Sequence, residues 1–179
     1  MIPEADRIMI SQDEIAAKVQ ELGSRISQDY GGEEILVVGI LKGAAIFMSD
    51  LVRSIASPVA FDFMAVSSYG ASTESSGIVR IIKDLDQSIE GRHVLIVEDV
   101  VDTGLTLNYL VENLRSRNPA SLKLCSLLDK PSRRKVEVKA DYTGFEIPDE
   151  FVVGYGLDYS ERFRNLPYIA VLKKDVYIK

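Results

Sequence analysis

Residues 94–107, VLIVEDVVDTGLTL, indicate both how this chain folds and where its chemistry lies. Four aliphatic residues lead directly into Glu98 and Asp99, and Asp102 follows just before a Thr-Gly-Leu-Thr turn. A short continuous apolar run is typical of a parallel strand that is covered on both faces. The stretch therefore predicts a buried strand that delivers carboxylates to a ligand, followed by a turn that opens a helix.

The turn at 102–106 has the features of a phosphate site. A helix that begins here leaves its first N–H groups without partners in the helix, and the helix dipole favours an anion there. Gly104 allows close approach of the backbone, and the hydroxyls of Thr103 and Thr106 add donors. The turn lacks the Gly-x-x-x-x-Gly-Lys spacing of a P-loop. The alternative is that Asp102 or Thr103 only caps the helix.

The acidic pair before the turn also points to a ligand. Adjacent carboxylates such as Glu98 and Asp99 repel each other, and their burial is unfavourable unless they accept hydrogen bonds or bind a cation. The vicinal hydroxyls of a ribose would satisfy them, as would magnesium-bound water. A ribose phosphate would use the acidic pair and the turn together. The alternative is a solvated edge of the sheet.

The rest of the chain alternates strand-like and helix-like segments. Ser11 and Glu14 have capping-box spacing, and they predict a helix that ends at the glycine pair 31–32. Helical spacing also follows residues 44 and 107. This alternation predicts one α/β domain over residues 1–179, with a mostly parallel sheet flanked by helices. Strands are predicted at 34–41, 59–66, 79–83, 93–97, 121–128, 151–155 and 168–172.

Three chemically suggestive segments, 41–43, 98–106 and 129–130, follow predicted strands. In open α/β sheets ligands bind beyond the carboxyl ends of the strands, so we expect the three segments to share one site. A fourth segment, 67–77, is small, polar and glycine-containing, and it predicts a mobile loop.

Composition excludes several classes of function. The net charge is −6, which argues against nucleic acid or an anionic membrane as the main partner. No apolar run approaches the roughly 20 residues that span a bilayer, and the first residues do not resemble a secretory signal, so we expect a cytoplasmic protein. Cys125 and His93 are the only residues of their types, which argues against a zinc site or a nucleophilic triad. We interpret Cys125 as a core residue and His93 as structural.

The motif at 94–107 resembles the phosphoribosyl pyrophosphate signature of type I phosphoribosyltransferases. Four further segments resemble the hypoxanthine-guanine phosphoribosyltransferases within that family, and they occur in the family's order over nearly the whole chain. These segments are GILKGA (39–44), VSSYG (66–70), LLDKPSRR (127–134) and FVVGYGLDYSERFRNL (151–166).

The resemblance implies the type I phosphoribosyltransferase fold, with a small hood region and a flexible loop. It implies purine salvage, in which the phosphoribosyl group of phosphoribosyl pyrophosphate is transferred to N9 of hypoxanthine or guanine. The products would be IMP or GMP and pyrophosphate, and Mg²⁺ would be the cofactor. The implied partners are phosphoribosyl pyrophosphate, a 6-oxopurine base and further copies of the chain in a homodimer or homotetramer.

The resemblance also assigns ribose and phosphate binding to the opening motif. Glu98 and Asp99 would hold the ribose hydroxyls, and the turn would hold the 5′-phosphate. Asp102 is in addition our candidate for the catalytic residue, which would bond purine N7 and handle the proton that the purine must lose or relocate as N9 attacks. The expected ribose- and phosphate-binding residues are Glu98, Asp99, Asp102, Thr103, Gly104, Leu105 and Thr106.

Pyrophosphate and metal binding are assigned in the same way. Lys42 and Gly43 would form the pyrophosphate loop, whose Leu-Lys peptide bond can be cis in this family, and Arg164 would bind pyrophosphate. The alternatives are a solvated turn lysine at 42 and a surface ion pair at 164. The expected magnesium ligands are Glu98, Asp99 and Asp158.

The purine pocket is assigned to residues after the opening motif. Lys130 would bond purine O6, which favours an oxo purine over adenine because a cation cannot accept a hydrogen bond from an amino group. Phe151 would stack on the base, Val152 would contact it through the backbone, and Asp158 would complete the pocket. The alternative for Phe151 is a core aromatic.

Ser68 and Tyr69 would lie on a loop that closes over the site and excludes water. Xanthine is the competing acceptor base, since Lys130 recognises O6 and not the group at C2. A regulator that binds RNA, resembling the pyrimidine attenuation proteins, and a non-catalytic ribose-phosphate sensor are the competing functions. Residues 134–149 receive no role.

Overall fold

The structure is a computed structural model that describes residues 1–68 and 79–178. Of the segment predicted as a mobile loop, 67–77, only residues 67 and 68 are among them. Tyr69 lies outside the described residues. Ser68 is the last residue of a strand.

The described residues form two sheets, flanked by helices. No helix among them is long and apolar enough to cross a membrane. The elements are β1 (Ala5–Ile10), α1 (Gln12–Tyr30), β2 (Ile35–Leu41), α2 (Ala45–Arg53), β3 (Val59–Ser68), β4 (Val79–Lys83), β5 (His93–Val101), α3 (Leu105–Arg115), β6 (Ser121–Asp129), a 3-10 helix (Pro131–Arg133), β7 (Tyr142–Glu146), β8 (Val152–Val153), β9 (Ile169–Leu172) and α4 (Lys174–Tyr177).

The main sheet has six strands in the order β4-β3-β2-β5-β6-β7. All neighbouring pairs are parallel except β3 and β4. Side chains alternate between the two faces of a strand, so the apolar run of β2 supplies both faces. Val37 packs on one side with α1 and α2, and Val38 packs on the other with α3. This arrangement confirms the predicted mostly parallel sheet flanked by helices.

The ends of α1 confirm the predicted boundaries. The Ser11 side chain accepts a hydrogen bond from the Glu14 N–H, and the Ser11 N–H donates back to Glu14 Oε2 at 2.8 Å. Gly31 ends the helix with a φ of 57°, a left-handed conformation that glycine adopts without steric cost.

The second sheet has three antiparallel strands in the order β1-β9-β8. We call it the hood sheet. Sequence analysis predicted strands near β8 and β9 but not β1, and it also missed β7. Strand β1 pairs with β9, with Ala5 opposite Leu172, so its partner lies at the other end of the chain.

Strand β5 is longer than predicted. It continues to Val101, because Val100 and Val101 pair with Leu128 and Asp129 of β6. Glu98 and Asp99 therefore lie within the strand, which corrects the prediction that the strand ends at Val97 and that the carboxylates follow it.

Candidate active site

The carboxyl ends of β2, β5 and β6 meet at one edge of the main sheet, because the three strands are parallel neighbours. The three segments predicted to share a site follow these ends or lie at them. Two contacts connect them directly: the Lys130 N–H donates to the Val101 carbonyl at 2.9 Å, and Gly43 packs against Asp99. The structure thus brings the segments together.

Gly43 lies against the acidic pair. A Cβ at this position would be 1.8 Å from Asp99 Oδ2, so glycine is required for this approach. On its other side, a Cβ on Gly156 would be 2.1 Å from the Gly43 carbonyl oxygen. The peptide bond between Leu41 and Lys42 is cis. The predicted pyrophosphate loop therefore lies between the acidic pair and the segment that follows β8.

Both carboxyl groups of the acidic pair, Glu98 and Asp99, have raised pKa values. Burial raises the pKa of Glu98 well above its usual range, and the charge of Asp99 raises it further. Burial also raises the pKa of Asp99, although the Val100 N–H donates to its Oδ1 at 2.7 Å and Arg164 acts in the opposite direction. Both carboxylates favour a partner that neutralises charge or donates hydrogen bonds. This environment argues against the alternative of a fully solvated edge.

Of the three predicted magnesium ligands, Asp99 and Asp158 line one cavity and Glu98 lines another. In the part of the chain that the structure describes, no group of three or more acidic, histidine or cysteine side chains could hold a metal. Asp99 and Asp158 nevertheless line the same cavity. Mg²⁺ usually takes one or two carboxylates and completes its shell with water and substrate phosphates. Two carboxylates on one cavity wall meet that requirement.

A cavity of about 170 Å³ surrounds the turn that was predicted to bind phosphate. Gly104 is the N-cap of α3 with a φ of 82°, and it caps without a side-chain hydrogen bond. Thr103 Oγ1 accepts only a long hydrogen bond of 3.4 Å from the Leu105 N–H. Helix capping by Asp102 or Thr103 alone does not explain the turn. The lining residues are Glu98, Val100, Val101, Asp102, Thr103, Gly104, Thr106 and Leu107.

The turn is held from outside by a segment to which the sequence assigned no role. The Lys135 N–H donates to the Thr103 carbonyl at 2.9 Å, and Val136 and Arg134 pack beside Gly104. Arg134 also donates to the Asp102 carbonyl. These contacts join residues about 30 positions apart, so no local spacing in the sequence signals them.

Asp102 lies in the wall of this cavity, which we call the phosphate cavity. Its carboxylate accepts a hydrogen bond from Arg133 Nε at 3.1 Å, and Arg133 is also 3.7 Å from Asp149. The side chain of Asp102 is 43% exposed, so it is accessible to a ligand. Its contact with purine N7 stays a prediction.

A second cavity, of about 180 Å³, brings together the residues predicted to bind the purine. We call it the base cavity. Lys130 Nζ donates to the Glu150 carbonyl at 2.8 Å, which holds the ammonium group in place. Phe151 is 37% exposed, which excludes the alternative of a core aromatic. Sequence analysis did not name Val100 or Leu157. The lining residues are Asp99, Val100, Lys130, Phe151, Val152, Leu157 and Asp158.

Arg164 lies close to the base cavity in a network of acceptors. One terminal nitrogen is 2.9 Å from Asp158 and 3.3 Å from Glu161, and the other donates to the Gly156 carbonyl at 2.8 Å. Its Nε is buried and has no hydrogen-bond partner within residues 1–68 and 79–178. The side chain is 24% exposed, so it differs from the solvated surface ion pair that was the alternative.

Among the predicted site residues that form ion pairs in the described part of the chain, Lys42 has the most exposed side chain. Its Nζ is 2.7 Å from Glu161, and both side chains are about two-thirds exposed, at 66% and 65%. Glu161 therefore contacts both cations that were predicted to bind pyrophosphate, a role that sequence analysis missed.

Comparisons with known proteins identify the family to which this chain is similar. A family model described as "Phosphoribosyl transferase domain" matches residues 10–160. The chain is 58% identical over 174 residues to the hypoxanthine-guanine phosphoribosyltransferase of Bacillus subtilis (strain 168), with 97% of each covered. It is 54% identical over 174 residues to the bifunctional protein TilS/HprT of Listeria monocytogenes (serotype 4b, strain F2365), where it covers 27% of that protein and 97% of itself.

A solved structure is similar over almost the full length. The crystal structure of a hypoxanthine phosphoribosyltransferase from Staphylococcus aureus superposes with a TM-score of 0.96 at 51% identity, covering 98% of this chain and 96% of the other. The extent of the family match, the identity to relatives and the shared architecture all lead to one conclusion: the chain belongs to the phosphoribosyltransferase family.

Proposed function

We propose that this chain is a purine salvage enzyme that transfers the phosphoribosyl group of phosphoribosyl pyrophosphate to N9 of hypoxanthine or guanine. One observation carries the proposal: the phosphate cavity and the base cavity share Val100, so they are direct neighbours. A ribose phosphate in the first cavity would present its C1 towards a base in the second. The identity to the Bacillus subtilis enzyme, 58% over 97% of both chains, supports the same activity.

Ribose and phosphate would be bound by two adjacent groups. The first N–H groups of α3, with the hydroxyls of Thr103 and Thr106, would hold the 5′-phosphate. Glu98 and Asp99 would accept hydrogen bonds from the ribose hydroxyls, and this would compensate for the burial that raises the pKa values of both. The sugar would then be held at both ends, which fixes the position of C1.

In the transfer step, the bond from C1 to pyrophosphate breaks while the bond from C1 to N9 forms. Negative charge grows on the leaving group, and Lys42 and Arg164 would bind that charge. Asp99 and Asp158 would hold Mg²⁺, which would supply further neutralisation of the pyrophosphate. Ser68 and Tyr69 would belong to the segment that covers the site during the reaction.

The purine must lose a proton as N9 attacks. Asp102 would accept a hydrogen bond from N7 and handle this proton. Arg133, whose Nε donates to the Asp102 carboxylate, would hold that carboxylate in a fixed orientation.

Base selection would depend on Lys130 and Phe151. The ammonium group of Lys130, oriented by the Glu150 carbonyl, would donate to O6 and reject the amino group of adenine. Phe151 and Val100 line the same cavity and would contact the flat faces of the base, with Val152 bonding it through the backbone.

The test is an absorbance assay with phosphoribosyl pyrophosphate, Mg²⁺ and each of hypoxanthine, guanine, xanthine and adenine. We expect nucleotide from hypoxanthine and guanine, and none from adenine. Xanthine is included because O6 recognition alone does not reject it. Absence of product with all four bases would overturn the proposal and favour the ribose-phosphate sensor, and RNA retained in a filter-binding assay would favour the regulator.

We further propose that residues 1–179 act as one domain, assemble into a homodimer or homotetramer, and work in the cytoplasm without nucleic acid or membrane partners. Light scattering on the purified protein measures the oligomeric state. A single cooperative unfolding transition is expected for one domain, and two separate transitions would contradict it.

A further inference from the structure

The ring of Phe151 is covered by a residue from the end of the chain. Tyr177, in α4, stacks on Phe151 with ring centroids 4.9 Å apart and an angle of 25° between the planes. Tyr159 contacts the same phenyl ring edge-on, at 5.6 Å and 90°. Aromatic pairs in such geometries contribute beyond their buried area. Phe151 is thus the centre of a three-ring cluster.

The cluster leaves one side of Phe151 available to a ligand. Phe151 lines the base cavity together with Lys130 and Asp158, and Tyr177 does not. Tyr177 lines a different cavity, of about 490 Å³, with Arg7 and Glu150 among its walls. The two residues therefore line different cavities, and Tyr177 stacks on Phe151 from outside the base cavity.

Short contacts hold α4 in place for this role. The Tyr159 hydroxyl donates to the Val176 carbonyl at 3.0 Å, one residue before Tyr177. The backbone N–H of Lys173 donates to the Glu4 carbonyl at 3.0 Å, and its Nζ donates to the Pro3 carbonyl at 2.7 Å. The position of the Tyr177 ring is consequently set by the contact with Tyr159 and by the contacts of Lys173 with residues 3 and 4.

We infer that Tyr177 is a positioning residue for the purine. It fixes the plane of the Phe151 ring, so that the base finds a preformed stacking surface beside Lys130. This inference rests on the proposed function, because it assumes that a purine occupies the base cavity. Without Tyr177, the phenyl ring would gain rotational freedom, and ordering it would oppose base binding.

The experiment compares Tyr177→Leu with Tyr177→Phe in steady-state kinetics. We expect Tyr177→Leu to raise the KM for hypoxanthine and guanine about two- to tenfold, the range that corresponds to one aromatic pair. The KM for phosphoribosyl pyrophosphate and kcat should stay unchanged. Tyr177→Phe should behave like the wild type, because it keeps the ring. Ile178→Ala, a change at an exposed residue beside Tyr177, is the matched control and should have no effect.

A double-mutant cycle with Phe151→Leu tests the mechanism. If Tyr177 acts through Phe151, Tyr177→Leu should add nothing in the Phe151→Leu background. Additive effects would overturn the inference. So would an unchanged base KM in Tyr177→Leu, or a loss of thermal stability that changes kcat and both KM values together. Failure of the proposed function would appear differently, as absence of product with the wild-type protein.

Discussion

The phosphate cavity and the base cavity are neighbours, but they are built in different ways. The phosphate cavity is lined by residues within one continuous segment, 98–107. The base cavity is lined by residues from four separate places: 99–100, 130, 151–152 and 157–158. The first depends on the local conformation of one strand-turn-helix unit. The second forms only when the segments around β8 pack against the end of the main sheet.

This difference predicts that substitutions will separate into two groups. Apart from Asp102, which would act on the purine proton, changes in the phosphate cavity should affect phosphoribosyl pyrophosphate, and changes in the base cavity should affect the purine. Val100 lines both cavities. Asp99 lines the base cavity and is also expected to bind the ribose, so perturbing Asp99 should affect both substrates.

The largest effect is expected for Asp102→Ala. Loss of the group that handles the purine proton should lower kcat about 10²- to 10⁴-fold, with much smaller changes in either KM. Steady-state kinetics measure this, and Asp149→Ala, which removes the other carboxylate near Arg133, serves as control. Turnover that survives almost intact in Asp102→Ala would exclude the catalytic role.

Gly43→Ala is expected to impair the binding of both substrates. The added methyl group would lie 1.8 Å from Asp99 Oδ2, so either the loop or the carboxylate must move. A displacement of about 1 Å at a reacting centre can cost about 100-fold in rate, and we expect a loss of that order in kcat/KM for both substrates.

Gly91→Ala is the control for Gly43→Ala, because a Cβ at Gly91 meets no atom within 4 Å. It should cost some stability through its φ of 71° and leave kcat/KM unchanged. A loss of kcat/KM for only one substrate in Gly43→Ala would show that Gly43 supports only one of the two cavities.

Lys130→Gln should affect the base cavity alone. Loss of a charged donor to O6 should raise the KM for hypoxanthine and guanine roughly 10- to 100-fold, in line with hydrogen bonds to charged groups. The KM for phosphoribosyl pyrophosphate should change little. Lys135→Gln is the matched control, since Lys135 supports the turn through its backbone N–H. An equal rise in both KM values would argue that Lys130 acts on the fold and not on the base.

The smallest effect is expected for Glu161→Gln, which should lower and not raise the KM for phosphoribosyl pyrophosphate. Glu161 lies 2.7 Å from Lys42 and 3.3 Å from Arg164, so it competes with pyrophosphate for both cations. Because exposed ion pairs contribute little, the KM for phosphoribosyl pyrophosphate should fall about two- to fivefold. Inhibition by added pyrophosphate should become stronger by the same factor. A higher KM would indicate that Glu161 assists binding.

The elements that the sequence predicted well are those with strong local signals. The capping box at Ser11 and the apolar runs of β2 and β5 depend on residues close together in the chain. Strands β1 and β7 were missed for the opposite reason. Their stability depends on distant partners: Ala5 pairs with Leu172, and the five-residue β7 is parallel to β6.

Local sequence was enough to predict the phosphate cavity of this protein, with its apolar strand, its acidic pair and the glycine turn that opens a helix. These features interact over a few residues, so their spacing along the chain already brings them close together in space. The assembly of the base cavity, the support of the turn by residues 134–136 and the stacking of Tyr177 on Phe151 emerge only in the folded chain. Those outcomes require contacts between residues tens of positions apart, and such contacts depend on how the two sheets pack.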